Sequence, residues 1–257
     1  MTALVAVVVT VGLAVSTRYG RPGIVAGIGV AQALLVPAWV LGTALPGRVG
    51  GMLIGFAAGA AADAALVRYD RTSLAALLGV LALAFPAFLL HQLARGVVRV
   101  RVTESMSGVA LLVTAVVALS SCVALARAVD GPRLVSAVVV AAGAGLAVAR
   151  LVDAARPAPR LAEDVPYGLL AVAAATAGGA AAGAVHSIGA RQLTPSGGAL
   201  LGAVVAVLAA LLAVGVGYLA GTVDPRPRRA ALAYLGVAFP LAMAAPVGYL
   251  VALTVAG

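Results

Sequence analysis

The chain contains no lysine: its 257 residues include 17 basic side chains, and every one is arginine. Every mechanism that needs a lysine amine is thereby excluded. Aromatic residues make up 4% of the chain, too few for a platform on which nucleic-acid bases could stack. The net charge of +9 therefore does not point to nucleic acid. Its arginines instead sit in short clusters between apolar runs, as loops at a membrane surface do. The single cysteine, Cys122, has no partner for an internal disulfide and no metal-ligand spacing around it. It reads as a small buried apolar residue. Both histidines, His91 and His186, fall near run ends with no second ligand at metal spacing, so a polar interfacial role is expected for them and no metal. No Walker loop, Gly-x-Ser-x-Gly turn or dinucleotide fingerprint is present, and no cofactor is expected.

What the chain has in excess is apolar residues, 63% of the total, with a mean hydropathy of +1.15. A soluble fold needs more polar surface than this to cover its core. The expected fold is all-α: a polytopic integral membrane helical bundle of about nine transmembrane helices in a single domain, 1–257. The apolar runs are 2–17, 22–45, 50–67, 73–94, 106–126, 134–149, 167–189, 198–222 and 230–255. Most reach the about 17–25 residues that cross a bilayer. No arginine precedes the first run, so it reads as a retained helix and not as a signal peptide. Even-numbered loops carry about ten arginines and odd-numbered ones about seven, which favours an amino terminus inside. Arginine in place of lysine, with abundant Ala, Val and Gly, suggests a GC-rich bacterial genome and a multi-pass protein of the inner membrane. Membrane lipids are the expected partners, with another membrane protein or a second copy as alternatives.

Several residues are candidates for more than packing. Asp63 is the one carboxylate well inside an apolar run, and an intramembrane acid is a functional candidate by default. Arg68 lies about a turn and a half further on, so a structural pair between them is the preferred expectation. An ion or proton site in a small transporter or channel is the alternative. Pro37, Pro86, Pro240 and Pro246 lie inside runs and suggest broken helices, which often line such sites. Ser120 and Ser121 sit mid-run, where serine bonds its own preceding turn or joins two helices. Gly51, Gly55 and Gly59 recur at four-residue spacing, allowing close helix approach. Trp39 is expected at the interface. The segment 96–103 alternates apolar and basic residues, as an interfacial strand or extended connector would. Two arginine clusters, Arg150, Arg156 and Arg160 and then Arg226, Arg228 and Arg229, fall in the sixth and eighth loops, on one face by parity. Their guanidinium forks match phosphate or lipid headgroups; the plainer reading is that they set topology. A lipid-modifying enzyme would have to draw its acids from Glu163, Asp164 and Asp224.

The order of features resembles the phosphatidate cytidylyltransferases, or CDP-diacylglycerol synthases, membrane enzymes that join CTP to phosphatidic acid with divalent metal. Ala158-Pro159-Arg160-Leu161 lines up with the start of that family's loop signature and Tyr167-Gly168 with its end. Glu163-Asp164 stands about where paired lysines belong, and Ala141-Ala142-Gly143 where a Gly-Asp is expected. The stretch Leu235 to Leu250, with Ala245-Pro246, runs parallel to the second signature. There Gly236 and Phe239 replace the two acids, Val237 the arginine, and Gly217-Tyr218 a further Gly-Asp. Cytidylyl transfer needs cations on the triphosphate, and those cations need carboxylates. The resemblance therefore implies a non-catalytic relative with no catalytic or metal residues, serving as a structural, lipid-binding or partner-binding subunit.

Overall fold

A computed structural model of the chain describes residues 2–68, 73–96, 101–156, 168–221 and 228–256. They form α1 (Thr2–Ser16), a 3-10 turn (Thr17–Tyr19), α2 (Gly20–Gly42), α3 (Arg48–Arg68), α4 (Ala75–Ala94), α5 (Val102–Leu119) and α6 (Ser121–Leu125). α7 (Gly131–Ala155), α8 (Leu169–Ser187), α9 (Pro195–Gly221) and α10 (Arg229–Val255) follow. The fold is an all-α bundle, and eight helical stretches are long and apolar enough to cross a membrane. The first of them, Thr2–Gly42, is 41 residues long and folds back on itself at Gly20, which has φ +67°. Glycine carries that turn without a Cβ clash. Beyond it Gly23 lies against the Ser16 carbonyl and Gly27 against Ser16 and Leu13. α1 alone, at 15 residues, is about 22 Å long, short of the about 30 Å hydrocarbon layer.

The outer surface is apolar. Leu83 is 73% exposed and Leu4 and Leu78 are each 67% exposed. In water those side chains would forfeit about 25 cal/mol per Å²; against lipid tails they cost nothing. The most enclosed helices are α5 with α6, α7 and α10, while α4 and α8 lie on the outside.

Two kinds of seam hold the bundle. Between α8 and α9 the backbones touch. A Cβ on Gly183 would stand against the Gly198 carbonyl, and one on Gly202 against the Gly179 carbonyl. Two Gly-x-x-x-Gly pairs thus face each other in an antiparallel register. Gly145 of α7 closes on the same line, its Cβ position 2.6 Å from the Ala206 Cβ. Between α3 and its neighbours the expected stripe does the same work with side chains. Gly51 receives Leu45 and Val109, Gly55 receives Leu112 and Val36, and Gly59 receives Gln32 and Val116.

The prolines do not break their helices. α2 continues through Pro37, α4 through Pro86, and α10 through Pro240 and Pro246. The break within a span falls instead at Ser120, between α5 and α6. There the Ser120 N–H bonds back only three residues, to the Val117 carbonyl at 3.2 Å, the tighter 3-10 pattern. Trp39 is not interfacial either: it is 2% exposed and stacks on Phe239 with ring centroids 4.9 Å apart. The sixth run extends to Ala155 as α7, so Arg150 and Asp153 lie in helix. Val102 and Thr103 already belong to α5; residues 97–100 of the alternating segment lie outside the described residues.

Candidate functional site

Among the described residues, hydrogen-bonded networks of polar side chains form in two places. The first is a seam among α2, α3 and the α5–α6 break. The Ser120 hydroxyl donates to Asp63 Oδ1 at 2.6 Å. Gln32 Nε2 lies 3.0 Å from the Val116 carbonyl, 2.9 Å from Ser120 Oγ and 3.4 Å from Asp63 Oδ1. Its two protons are shared among these three acceptors. Gln32 is 5% exposed and Ser120 fully buried. Asp63 therefore turns into the bundle toward Ser120 and Gln32, and among the described residues it makes no ion pair with Arg68. The expected Asp63–Arg68 pair gives way because Ser120 and Gln32 offer fixed donors on facing helices. Ser120 acts as an inter-helix bridge; Ser121 Oγ is buried beside it without a hydrogen-bond partner. Cys122 is 1% exposed in the same turn.

The second place is a basic cleft of about 670 Å³ at the amino end of α3, lined by Arg48, His91, Arg95 and Arg101 together with the 44–50 backbone. A hydrogen-bonded chain joins Arg95 and Pro46 of its lining. Arg95 donates to Gln92 Oε1 at 3.1 Å, Gln92 Nε2 to Ser105 Oγ at 2.9 Å, and Ser105 to the Pro46 carbonyl at 2.9 Å. This ties α4 and α5 to the connection before α3. The His91 imidazole fits because Gly47 and Gly50 carry no Cβ; at Gly47 a Cβ would lie 2.8 Å from His91 Nε2. That nitrogen is buried and makes no hydrogen bond. Arg101 pairs with Glu104, and this hydrogen bond holds the guanidinium's pKa above its ordinary value. Arg48 is exposed at the rim. Sequence reasoning missed this cleft because its four side chains come from three separate stretches. The available signal was a histidine with arginines spaced to either side of a run end.

Several other arginines bond to backbone carbonyls. Arg127 donates to the Val67 carbonyl at 2.7 Å, at the end of α3. Arg133 holds the Ile188 and Gly189 carbonyls at 2.9 and 3.0 Å, past the end of α8, and Arg21 reaches the Ala126 carbonyl at 3.3 Å, past α6. Helix ends leave such carbonyls without partners, and arginine is a favourable cap there.

Arg150 does a related job inside a helix. Its guanidinium donates to the Gly236 carbonyl at 3.2 Å. Gly236 is four residues before Pro240, so its carbonyl has lost the proline's missing N–H. Arg150 supplies the replacement. It also places the end of α7 beside the first half of α10, so Arg150 and Arg156 lie at the end of the bundle where α10 begins with Arg228 and Arg229. Arg150 is nonetheless turned inward instead of toward a headgroup. Arg156 and Arg229 are exposed and Arg228 is half-buried. Arg160 and Arg226 lie outside the described residues, as do Glu163, Asp164 and Asp224. Among the described residues no three His, Cys, Asp or Glu side chains gather.

At the opposite end, a cavity of about 850 Å³ lies between α1, α7 and α8, with Arg18, Asp130, Arg133 and His186 at its polar side. Asp153 caps the start of α8, accepting the Gly168 N–H at 2.9 Å. Comparison of the chain with family models, with curated proteins and with solved structures gives no match in any of the three.

Proposed function

We propose that this chain is a non-catalytic multi-pass protein of a bacterial cell membrane, related in degenerate form to the phosphatidate cytidylyltransferases, that holds anionic phospholipid headgroups. The observation that carries the reading is the cleft at the amino end of α3. Arg48, His91, Arg95 and Arg101 line a space of about 670 Å³, in which Glu104 offsets one of the charges. The cleft lies where a helical span begins, the level at which a bilayer presents its phosphates. Guanidinium groups pair with phosphate oxygens by two parallel hydrogen bonds.

The non-catalytic part rests on what fills the positions where the family resemblance would put acids. Gly236 and Phe239 lie within α10, the carbonyl of Gly236 is taken by Arg150, and Phe239 packs on Trp39. On that resemblance, an aromatic stack stands where a metal ligand would be expected.

The test is native mass spectrometry of the purified protein with phosphatidic acid, phosphatidylglycerol and phosphatidylcholine. The two anionic lipids are expected to be retained over the zwitterionic one, and the Arg48→Gln, Arg95→Gln double variant to lose that preference. Equal retention of all three lipids by the parent protein overturns the lipid reading. Formation of CDP-diacylglycerol from CTP, phosphatidic acid and magnesium overturns the non-catalytic one.

A further inference from the structure

Asp63 is left with an account to settle that the lipid-binding cleft does not touch. The residue it hydrogen-bonds on α2, Gln32, lies 12 residues after Gly20 and 10 before Gly42. At about 1.5 Å per residue, the seam sits about 15–18 Å from either end of that helix, while along α3 Asp63 stands about 8 Å before the end at Arg68, so the seam lies inside the span, nearer the end that carries Arg68. A bare carboxylate there is costly unless a cation or a proton neutralises it.

Among the described residues, no cation on the neighbouring elements bonds to Asp63. α2 presents Gln32, and α5 with α6 presents Ser120 and Cys122, a thiol that brings no positive charge. The nearest α4 histidine, His91, packs against Gly47 and Gly50 at the other end of α3. Arg127, at the carboxyl end of α3, donates to the Val67 carbonyl, and Arg68 lies further along the same helix and is exposed.

A bound metal cation fits poorly as well. A cation needs several oxygens aimed at it, whereas the seam aims donors at Asp63: a hydroxyl proton from Ser120 and amide protons from Gln32. The Gln32 Oε1 oxygen faces the other way, 3.1 Å from the Cβ position of Gly59. Both bonds fall on Oδ1, which leaves Oδ2 as the atom to carry a proton.

We propose that the α2–α3–α5 seam is an intramembrane proton-binding site, in which Asp63 takes a proton from water on Oδ2 while Ser120 and Gln32 hold Oδ1. Release returns the proton to water and leaves a carboxylate whose partners among the described residues are those two neutral donors. The two donors favour the carboxylate, whereas burial of its charge favours the proton; with burial the larger effect, the seam's contribution to stability is present at low pH and lost as pH rises and the proton leaves.

Infrared spectroscopy of the full chain in lipid bilayers, from about pH 5 to about pH 9, tests this. A protonated-carboxyl C=O band is expected at neutral pH, absent from Asp63→Asn, which keeps the shape and both hydrogen bonds of the neutral acid. Ser120→Ala removes one donor and is expected to shift that band in frequency without abolishing it. Thermal unfolding gives an independent readout: the parent loses stability as pH rises, and Asp63→Asn does not. The proposal is overturned if no band at neutral pH depends on Asp63. It is equally overturned if parent and Asp63→Asn show parallel pH dependence.

Discussion

The wall formed by α7, α8 and α9 and the half formed by α2, α3 and α5 solve the same problem with opposite means. In the wall, glycine removes side chains until carbonyls of one helix lie against the Cα atoms of the next. Dispersion between close backbones does the work that burial from water does in a soluble core. In the other half, α3 also carries glycines, but each is met by a side chain: Leu45, Leu112, Val36 or Gln32. Side chains that fill the gap can also bring polar groups together, as in the Asp63 seam and the basic cleft of that half. Along the α8–α9 contact the wall is scaffold, because no side chains are left there with which to bind anything.

The largest expected effect comes from breaking the wall. Gly183→Leu drives a side chain into the Gly198 backbone, which cannot rotate away. Overpacking against backbone should cost about 3 kcal/mol or more. Gly215→Leu is the control, since nothing lies within 4 Å of a Cβ there although it is on the same α9. Thermal unfolding in detergent should show a large loss for the first variant and little for the second. Equal losses would mean that the close approach of α8 to α9 is not what holds the wall.

Next in size is the contact that ties the wall to α10. Arg150→Met keeps the apolar stem and leaves the Gly236 carbonyl without its donor, which should cost roughly 1–3 kcal/mol. Pro240→Ala restores an N–H to that carbonyl from within the helix. In the Arg150→Met background it should recover most of the loss, so a double-mutant cycle measured by unfolding should show strong coupling. Additive losses would mean that Arg150 acts through something other than the carbonyl freed by Pro240. Smaller again is Arg133→Gln, which shortens the cap on the Ile188 and Gly189 carbonyls and should cost about 1 kcal/mol. Its lipid retention at the α3 amino end should be unchanged.

How far the sequence could be read follows the same division. Helices were legible because in a bilayer the backbone must satisfy itself, and long apolar runs have few other options. The enclosed side of each helix was not legible, because nearly uniform hydrophobicity leaves no amphipathic stripe to mark it. Pro37, Pro86, Pro240 and Pro246 suggested broken helices, yet each helix continues, since neighbours can supply donors, as Arg150 does for Gly236. The Gly179/Gly183 and Gly198/Gly202 pairs were visible but indistinguishable from other spacings in a chain of 31 glycines. Asp63 was recognisable as unusual from its surroundings alone. Its partners were not, because Gln32 and Ser120 are 31 and 57 residues away, and the nearby Arg68 was the more economical guess.

The smallest expected change in stability is at Arg48, where the contrast between structural and available arginines is sharpest. Arg127, Arg133 and Arg150 are each held by a carbonyl, so removing any of them exposes a cost in the fold. Arg48 opens α3 and is exposed at the rim of the cleft, beside helix N–H groups that repel a cation and attract an anion. Its charge therefore does nothing for the helix that carries it. Arg48→Gln should leave unfolding within about 0.5 kcal/mol of the parent while weakening retention of phosphatidic acid relative to phosphatidylcholine. The weakening should shrink as salt is raised, because an exposed guanidinium is screened within a Debye length of about 10 Å at 0.1 M. If Arg48→Gln instead lowers stability and leaves lipid retention unchanged, Arg48 belongs with the structural arginines and the distinction between the two groups fails.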